Sequence, residues 1–169
     1  MIPPYDHPDI IAGQGTATLE LLQDQPDLDV IVAPVGGGGL IGGCCAVAKD
    51  WKNPIRVIAA EPSGADDAFR SKAANQLLLS ESPNTISDGL LTSLGDLTWP
   101  FVRDVVEQVI LVTEEEIIHT MRLFWERTKV IIEPSSAVAV AVGMSSQFQA
   151  DRVGVIISGG NVNFDDLPW

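Results

Sequence analysis

Short apolar runs alternate with longer amphipathic stretches along the 169 residues. Four runs rich in β-branched residues have the length of buried strands, and they cover residues 28–35, 55–60, 108–112 and 152–158. Between them the apolar spacing predicts helices over 16–25, 40–51, 65–75, 100–107, 113–129 and 134–146. This alternation is typical of an α/β fold, with a parallel sheet of about four strands and helices on both faces.

Turn-forming residues divide these elements. Three prolines among the first ten residues predict an irregular lead-in, and the turn-rich segment 76–98 predicts an irregular connection. Thr113 to Glu116 fits a capping box at the start of a helix. The alternating AVAVAV run within 134–146 is compatible with a strand, but Pro134 at its start and its alanine content favour a buried helix.

Composition limits the class of protein. Apolar residues make up 46% of the chain, and a chain of this length buries a substantial core, so residues 1–169 are predicted to form a single domain. With 10 basic and 23 acidic residues the net charge is 10 − 23 = −13, which disfavours nucleic acids and anionic membranes as partners. No apolar run approaches the roughly 20 residues that span a bilayer. The first residues lack signal-peptide features, and the adjacent Cys44 and Cys45 are expected to be buried and reduced, so a cytoplasmic protein is predicted.

Two loops at strand ends carry candidate chemistry. Four consecutive glycines, Gly36–Gly39, lie between a predicted strand and helix, where converging N–H groups favour a phosphate. The loop matches neither the GxxxxGK[ST] nor the GxGxxG pattern, and a tight turn is the alternative. Ser158, followed by Gly-Gly-Asn, ends another strand at the same edge of the sheet. Its hydroxyl is a candidate partner for a ring nitrogen, although the motif alone slightly favours an ordinary strand exit.

Six motifs occur in one order: PVGGGGL, AAEPSGADD, SDGL, TSLGDLTWP, EPSSA and SGGNV. In that order they resemble the serine racemase and divalent-cation-dependent serine/threonine dehydratase branch of the fold-type II pyridoxal-phosphate enzymes. The resemblance extends over nearly the whole chain and corresponds to the C-terminal part of the family's large domain. It implies pyridoxal 5′-phosphate as cofactor, and serine, threonine or a hydroxylated relative as substrate. Ammonia-lyase and racemase activities both stay open.

The resemblance assigns roles residue by residue. It implies that the phosphate is held by Gly36, Gly37, Gly38 and Gly39 with the nearby Leu40 amide. Ser158 then faces the pyridine nitrogen and Glu133 lies close to the ring. Gly89 and Thr92 are expected beside the bound amino acid.

Two further sites follow from the same resemblance. Glu61, Ala65 and Asp67 match a divalent-metal site, and two carboxylates with a carbonyl are the hard oxygen ligands that Mg²⁺, Mn²⁺ or Ca²⁺ prefers. A solvated acidic helix start is the alternative. Lys129 and Asn161 match positions that contact an activating nucleotide, ATP, in some racemases. The alternative there is a surface lysine and a turn asparagine.

The chain departs from the family pattern in one respect. The Ser-Phe-Lys segment with the Schiff-base lysine and the Ser-x-Asn-His substrate loop do not occur, and Lys49, Lys52, Lys72 and Lys129 are expected away from the site. The sequence therefore predicts no catalytic residue in this chain. It predicts an incomplete cofactor domain, lacking the N-terminal half and small domain, and Met1 at a normally internal position supports truncation. A homo-oligomer or a complementing N-terminal half is the expected partner; a binding module and an inert remnant are the alternatives.

Overall fold

The structure is a computed structural model that describes residues 3–169. Met1 and Ile2, which open the predicted lead-in, lie outside the described residues. In chain order the elements are α1 (Pro8–Asp24), β1 (Val30–Pro34), α2 (Gly39–Asp50), β2 (Arg56–Pro62), α3 (Asp67–Ala74), a 3-10 turn (Asp88–Leu90), α4 (Trp99–Asp104), β3 (Val106–Val112), α5 (Glu114–Thr128), α6 (Pro134–Gly143) and β4 (Val153–Val155).

The four strands form one parallel sheet in the order β3-β2-β1-β4. Strand β1 is central, with Val30 opposite Arg56 of β2 on one side and Val153 of β4 on the other. The chain moves outward from β1 to β2 and β3, and then returns to place β4 on the opposite side of β1. The predicted α/β class with a four-stranded parallel sheet is confirmed.

Helices cover both faces of the sheet because successive strand residues point to opposite sides. Ile31 and Ala33 of β1 belong to a core cluster with α1, α2 and α4. Val30 and Val32 belong to a second cluster with α5 and α6. Every residue of β1 is buried, as expected for a strand between two helical layers.

Helix α1 begins eight residues earlier than predicted. Pro8 occupies the first turn, where its missing N–H costs nothing, and the N–H of Asp9 donates to Nδ1 of His7 (3.2 Å). The prediction that the first ten residues are irregular is therefore wrong from Pro8 onward. These additional residues, about two turns of helix, pack tightly on α2, because a methyl group on Gly43 would lie 2.6 Å from the Ile11 carbonyl oxygen.

The other boundaries differ by smaller amounts. Strand β2 continues through Glu61 and Pro62, whereas β4 is only three residues long and stops before Ser158. The segment 76–98 is irregular, as predicted, apart from the 3-10 turn. Residues 134–143 form a helix rather than a strand. Within residues 3–169, no helix has the length and apolar character needed to cross a membrane.

The capping box at α5 is confirmed. The Thr113 hydroxyl accepts a hydrogen bond from the Glu116 N–H, and the Glu116 carboxylate accepts one from the Thr113 N–H at 2.8 Å. Two backbone donors that a helix start would leave unpaired are thereby satisfied.

We expect Thr113→Ala to destabilise the fold by about 1 kcal/mol, because one N–H loses its acceptor. For a chain of this length that corresponds to a fall in Tm of about 2–4 °C in a thermal melt. Glu115→Ala, at an exposed neighbouring position, is the matched control and should change Tm little. A Tm for Thr113→Ala equal to that of the wild type would contradict the capping hydrogen bond.

Candidate functional site

The strand order creates one switch point, between β1 and β4. In open α/β sheets ligands bind outside the carboxyl ends of the strands at such a point. Strand β1 is followed by Gly36–Gly39, and Ser158 lies just beyond β4. The two loops with candidate chemistry therefore flank the same crevice.

The glycine loop has a separate physical requirement at two of its positions. Gly38 has a φ of +89°, and an added Cβ would lie 2.6 Å from the Thr98 side chain. Gly37 needs no special φ, but a Cβ there would overlap the ring of Tyr5. Within the loop only Gly38 has a positive φ, so close packing rather than turning explains the glycine at position 37.

Free backbone donors converge at the start of α2. Gly38 is the N-cap of this twelve-residue helix and provides no side-chain cap, so N–H groups of the first turn, near Leu40, have no side-chain acceptor. The helix N-terminus adds a partial positive charge. Together these features fit a compact anion such as a phosphate.

The opposite wall of the crevice is polar. Ser158 is exposed, and its Oγ lies 3.1 Å from the Oγ of Ser136, the third residue of α6. Glu133 is the N-cap of the same helix, and its carboxylate accepts a hydrogen bond from the Asn161 N–H at 3.1 Å. A hydroxyl facing the cleft and a neighbouring carboxylate suit a ligand with a polar ring.

These walls enclose a cleft of about 450 Å³. Its volume is that of a small-molecule site. The structure brings together around it all the residues assigned to the phosphate, ring and amino acid: Gly36, Gly37, Gly38, Gly39, Leu40, Gly89, Thr92, Glu133 and Ser158. Within residues 3–169, a larger cavity of about 640 Å³ lies at the other end of the strands, near Arg56 and Asp29.

Sequence reasoning missed two groups at the cleft. Tyr5 contacts the glycine loop, but it lies in a proline-rich segment that carries no periodic pattern. Ser135 is 2% exposed and lines the cleft, and its Oγ has no hydrogen-bond partner within residues 3–169. Its position beside Glu133 in the EPSSA motif was the available signal.

No lysine is among the described residues that line the cleft. Lys72 Nζ donates to the carbonyl oxygens of Val102 (3.0 Å) and Arg103 (3.2 Å) near the end of α4. Lys129 Nζ donates to the Glu126 carbonyl oxygen (2.6 Å), whereas Lys49 lies in the last turn of α2. The amino groups of Lys72 and Lys129 are therefore engaged at other helix ends.

The acidic pair Glu61 and Asp67 lies apart from the cleft and is deeply buried, with each residue 1% exposed. Both Glu61 oxygens accept hydrogen bonds, from the N–H groups of Ala68 (2.7 Å) and Phe69 (2.8 Å), and Asp67 accepts one from the Leu94 N–H (3.0 Å). Burial raises the pKa of Glu61 to about 8, although its two hydrogen bonds lower it. Burial also raises the pKa of Asp67. Neither carboxylate forms an ion pair with the residues the structure describes.

A metal site is not established by this geometry. Across residues 3–169, no group of three or more His, Cys, Asp or Glu side chains is arranged to hold a metal ion. Ala65, the third predicted ligand, is buried, and its N–H donates to the Pro62 carbonyl (2.9 Å). Two buried carboxylates without a basic partner nevertheless have a donor set that a hard cation fits.

The two residues matched to a nucleotide are not brought into one cavity. Asn161 lines a cavity of about 310 Å³, and Lys129 is not among the residues lining it. Lys129 is instead the left-handed C-cap of α5, with a φ of 63°.

Comparison with known proteins decides the family. The pyridoxal-phosphate dependent enzyme family matches residues 1–159. The chain belongs to this family. It is 49% identical to serine racemase of Dictyostelium discoideum and 46% identical to β-hydroxyaspartate dehydratase of Paracoccus denitrificans, covering 99% and 98% of this chain. The structure of maize serine racemase superposes with a TM-score of 0.93 at 46% identity over 96% of this chain.

The chain spans about half the length of these pyridoxal-phosphate enzymes. It covers 53% of each of the two relatives and 52% of the maize chain. The residues around the cleft fit the phosphate and ring of the family's cofactor, because the glycine loop leaves no room for side chains and Ser158 is exposed opposite it.

We expect Gly37→Ala to weaken binding of pyridoxamine 5′-phosphate by about tenfold or more, because overpacking against Tyr5 distorts the loop. Gly37→Asp adds a negative charge and should abolish binding. Isothermal titration measures both. Gly13→Ala, with nothing within 4 Å of the added methyl, is the control and should bind as the wild type does.

A second substitution tests the physical cause. If the clash with Tyr5 is responsible, Tyr5→Ala in the Gly37→Ala background should restore part of the affinity. Wild-type affinity in Gly37→Ala alone would remove the glycine loop from the site.

Without added metal, we expect stability to fall as pH rises from about 5 to 8. The pKa of Glu61 is higher in the folded state than its ordinary value of 4.5, so the folded form holds the proton more tightly and loses this advantage as pH rises through about 8. Thermal melts in EDTA across this range measure the slope. Glu61→Gln should flatten it and the exposed Glu115→Gln should not; a stability that rises with pH in the wild type would contradict the assignment.

Proposed function

We propose that this chain forms the C-terminal, phosphate-binding part of a pyridoxal-phosphate enzyme acting on small hydroxy amino acids. A serine/threonine ammonia-lyase and a serine racemase are the two activities in view. The observation that carries the proposal is the pair of loops flanking one switch-point cleft, a glycine loop on one side and Ser158 on the other. The names of the relatives, a serine racemase and a dehydratase, support the substrate class.

Each wall of the cleft has a distinct task in this proposal. The amides of Gly36–Gly39 and Leu40 hold the phosphate, and the Ser158 hydroxyl meets the ring nitrogen. Glu133 lies beside the ring, while Gly89 and Thr92 line the side on which the amino acid binds. When bound, pyridoxal phosphate supplies an electron sink at the amino acid's α-carbon. A hydroxyl partner cannot enforce a protonated ring nitrogen as a carboxylate does, which makes that sink milder.

The Schiff-base lysine is proposed to come from outside these 169 residues. No lysine lies among the described residues of the cleft, and two of the four are engaged at distant helix ends. We therefore treat residues 1–169 as a single, incomplete cofactor domain that is inactive alone. A non-catalytic module that binds phosphate and metal is the second candidate, favoured by a glycine loop at the cleft with no lysine among the described lining residues.

A partner covers the open side of the sheet in this proposal. Strand β4 is the edge strand next to β1, and the apolar side chains of Val130, Ile131 and Ile157 are 53%, 45% and 41% exposed. An unpaired edge with apolar neighbours invites another chain. A complementing N-terminal half fits because the chain spans about half of its relatives; self-association is the alternative.

The remaining assignments complete the proposal. A divalent cation, Mg²⁺, Mn²⁺ or Ca²⁺, binds Glu61, Asp67 and the Ala65 carbonyl and offsets the burial of two carboxylates. ATP contacts Lys129 and Asn161 only if the partner half brings them to a common surface. A cytoplasmic location suits the free, buried Cys44 and Cys45.

We expect the isolated chain to release no pyruvate or 2-oxobutyrate from serine or threonine above the blank with free pyridoxal phosphate. Proton transfer by a positioned group contributes orders of magnitude to such reactions, and no lysine lies among the residues of 3–169 that line the cleft. Adding a separately expressed N-terminal half of a relative should restore activity in a coupled assay. Gly13→Ala is the control for complementation.

Two outcomes separate the candidates. Turnover by the isolated chain that is sensitive to substitution of one of its four lysines would contradict the missing amine. Tight cofactor binding with no activity after complementation would favour the non-catalytic module.

A divalent cation should raise the Tm through Glu61 and Asp67. Binding to the folded form alone stabilises by about 2.7 kcal/mol at a hundredfold excess over Kd. The effect should be reversed by EDTA, lost in Glu61→Gln and kept in Glu115→Gln. An equal response of Glu61→Gln and the wild type to Mg²⁺ or Mn²⁺ would mean that the ion binds elsewhere.

A further inference from the structure

Ser136 and Ser158 form a hydrogen-bonded pair between α6 and the end of β4. Ser136 is fully buried, and its Oγ lies 3.1 Å from the Oγ of Ser158. The same Oγ accepts a hydrogen bond from the Gly159 N–H at 2.8 Å and lies 2.8 Å from the Gly159 carbonyl oxygen. A buried hydroxyl that does not line the cleft is thus hydrogen-bonded to one that does.

The hydroxyl of Ser136 can donate its hydrogen bond in either of two directions. A hydroxyl has one proton and two acceptor lone pairs. The Gly159 N–H needs one of those lone pairs, and the single proton has two candidate acceptors, the Gly159 carbonyl and Ser158 Oγ. The Gly159 carbonyl also accepts a hydrogen bond from the Glu133 N–H at 3.1 Å, so it keeps a partner in either case.

The two arrangements give Ser158 opposite polarities. If Ser136 donates to the carbonyl, Ser158 donates to Ser136 and offers only lone pairs to the cleft. If Ser136 donates to Ser158, the Ser158 proton is free to be donated into the cleft. The first arrangement suits a protonated ring nitrogen and the second an unprotonated one.

We propose that Ser136 is a positioning residue that turns the Ser158 hydroxyl into a donor towards an unprotonated ring nitrogen. This inference rests on the proposed function, since the ring nitrogen is that of the cofactor. When a ring with a free lone pair binds, the Ser136 O–H bond rotates, so that it donates to Ser158 instead of the Gly159 carbonyl. Ser158 then donates to the ring nitrogen. Each donor then polarises the next, which strengthens the bond to the nitrogen.

The consequence concerns the protonation state of the bound ring. A hydrogen bond donated to the unprotonated form favours that form and lowers the pKa of the ring nitrogen. Without Ser136 the Ser158 hydroxyl rotates freely and is a weaker donor. The pKa of the bound ring nitrogen should therefore rise in Ser136→Ala, and rise further in Ser158→Ala.

The experiment uses the full chain and pyridoxamine 5′-phosphate, which binds without a lysine. Nitrogen-15 NMR of the ring-labelled compound measures the protonation of the ring nitrogen across pH, and titration measures Kd. A second probe is the same compound with the ring nitrogen replaced by CH. Ser146→Ala, an exposed serine just past the end of α6, is the matched control.

The expected result is selective. Ser136→Ala should weaken binding of pyridoxamine 5′-phosphate by about three- to tenfold and raise the pKa of its ring nitrogen. The affinity for the CH analogue should stay unchanged. Equal losses for both probes, or an unchanged ring-nitrogen pKa, would overturn the role of Ser136. If the wild type binds neither probe, the proposed function itself is overturned and this inference with it.

Discussion

The parallel pairing of β1 with strands on both sides is the constraint on which the cleft depends. Val30 is held opposite β2 and β4 at once, so the carboxyl ends of all three strands stop at one edge. The chain leaves β1 through Gly36–Gly39 and reaches Ser158 from β4, and the two loops face each other because β4 returns beside β1. A change of strand order would separate the glycine loop from Ser158, whatever residues they contain.

Polar groups without a side-chain or charged partner occur in two regions of this fold. At the cleft, the first turn of α2 has no side-chain cap and Ser135 Oγ has no partner within residues 3–169. Near the end of β2, Glu61 and Asp67 are buried and accept hydrogen bonds from backbone N–H groups. Burial raises the pKa of each. Unpaired donors suit an anion and uncompensated carboxylates suit a cation, so we propose ligands of opposite charge for the two regions.

Sequence patterns predicted the sheet well because buried parallel strands are short, apolar and β-branched, as in 28–35. They fail at α1, because the N-terminal prolines predict an irregular segment although a proline is tolerated in the first helical turn. Residue motifs located both walls of the cleft. They could not reveal Tyr5 on Gly37 or the Ser136–Ser158 pair, since both are contacts between segments far apart in sequence.

The most direct test of the central claim is a crystal structure of this chain with pyridoxamine 5′-phosphate. We predict the phosphate at the amides of Gly36–Gly39 and the ring nitrogen within hydrogen-bond distance of Ser158 Oγ, in the cleft between β1 and β4. A phosphate bound instead near Arg56, in the larger cavity at the opposite end of the strands, would contradict it.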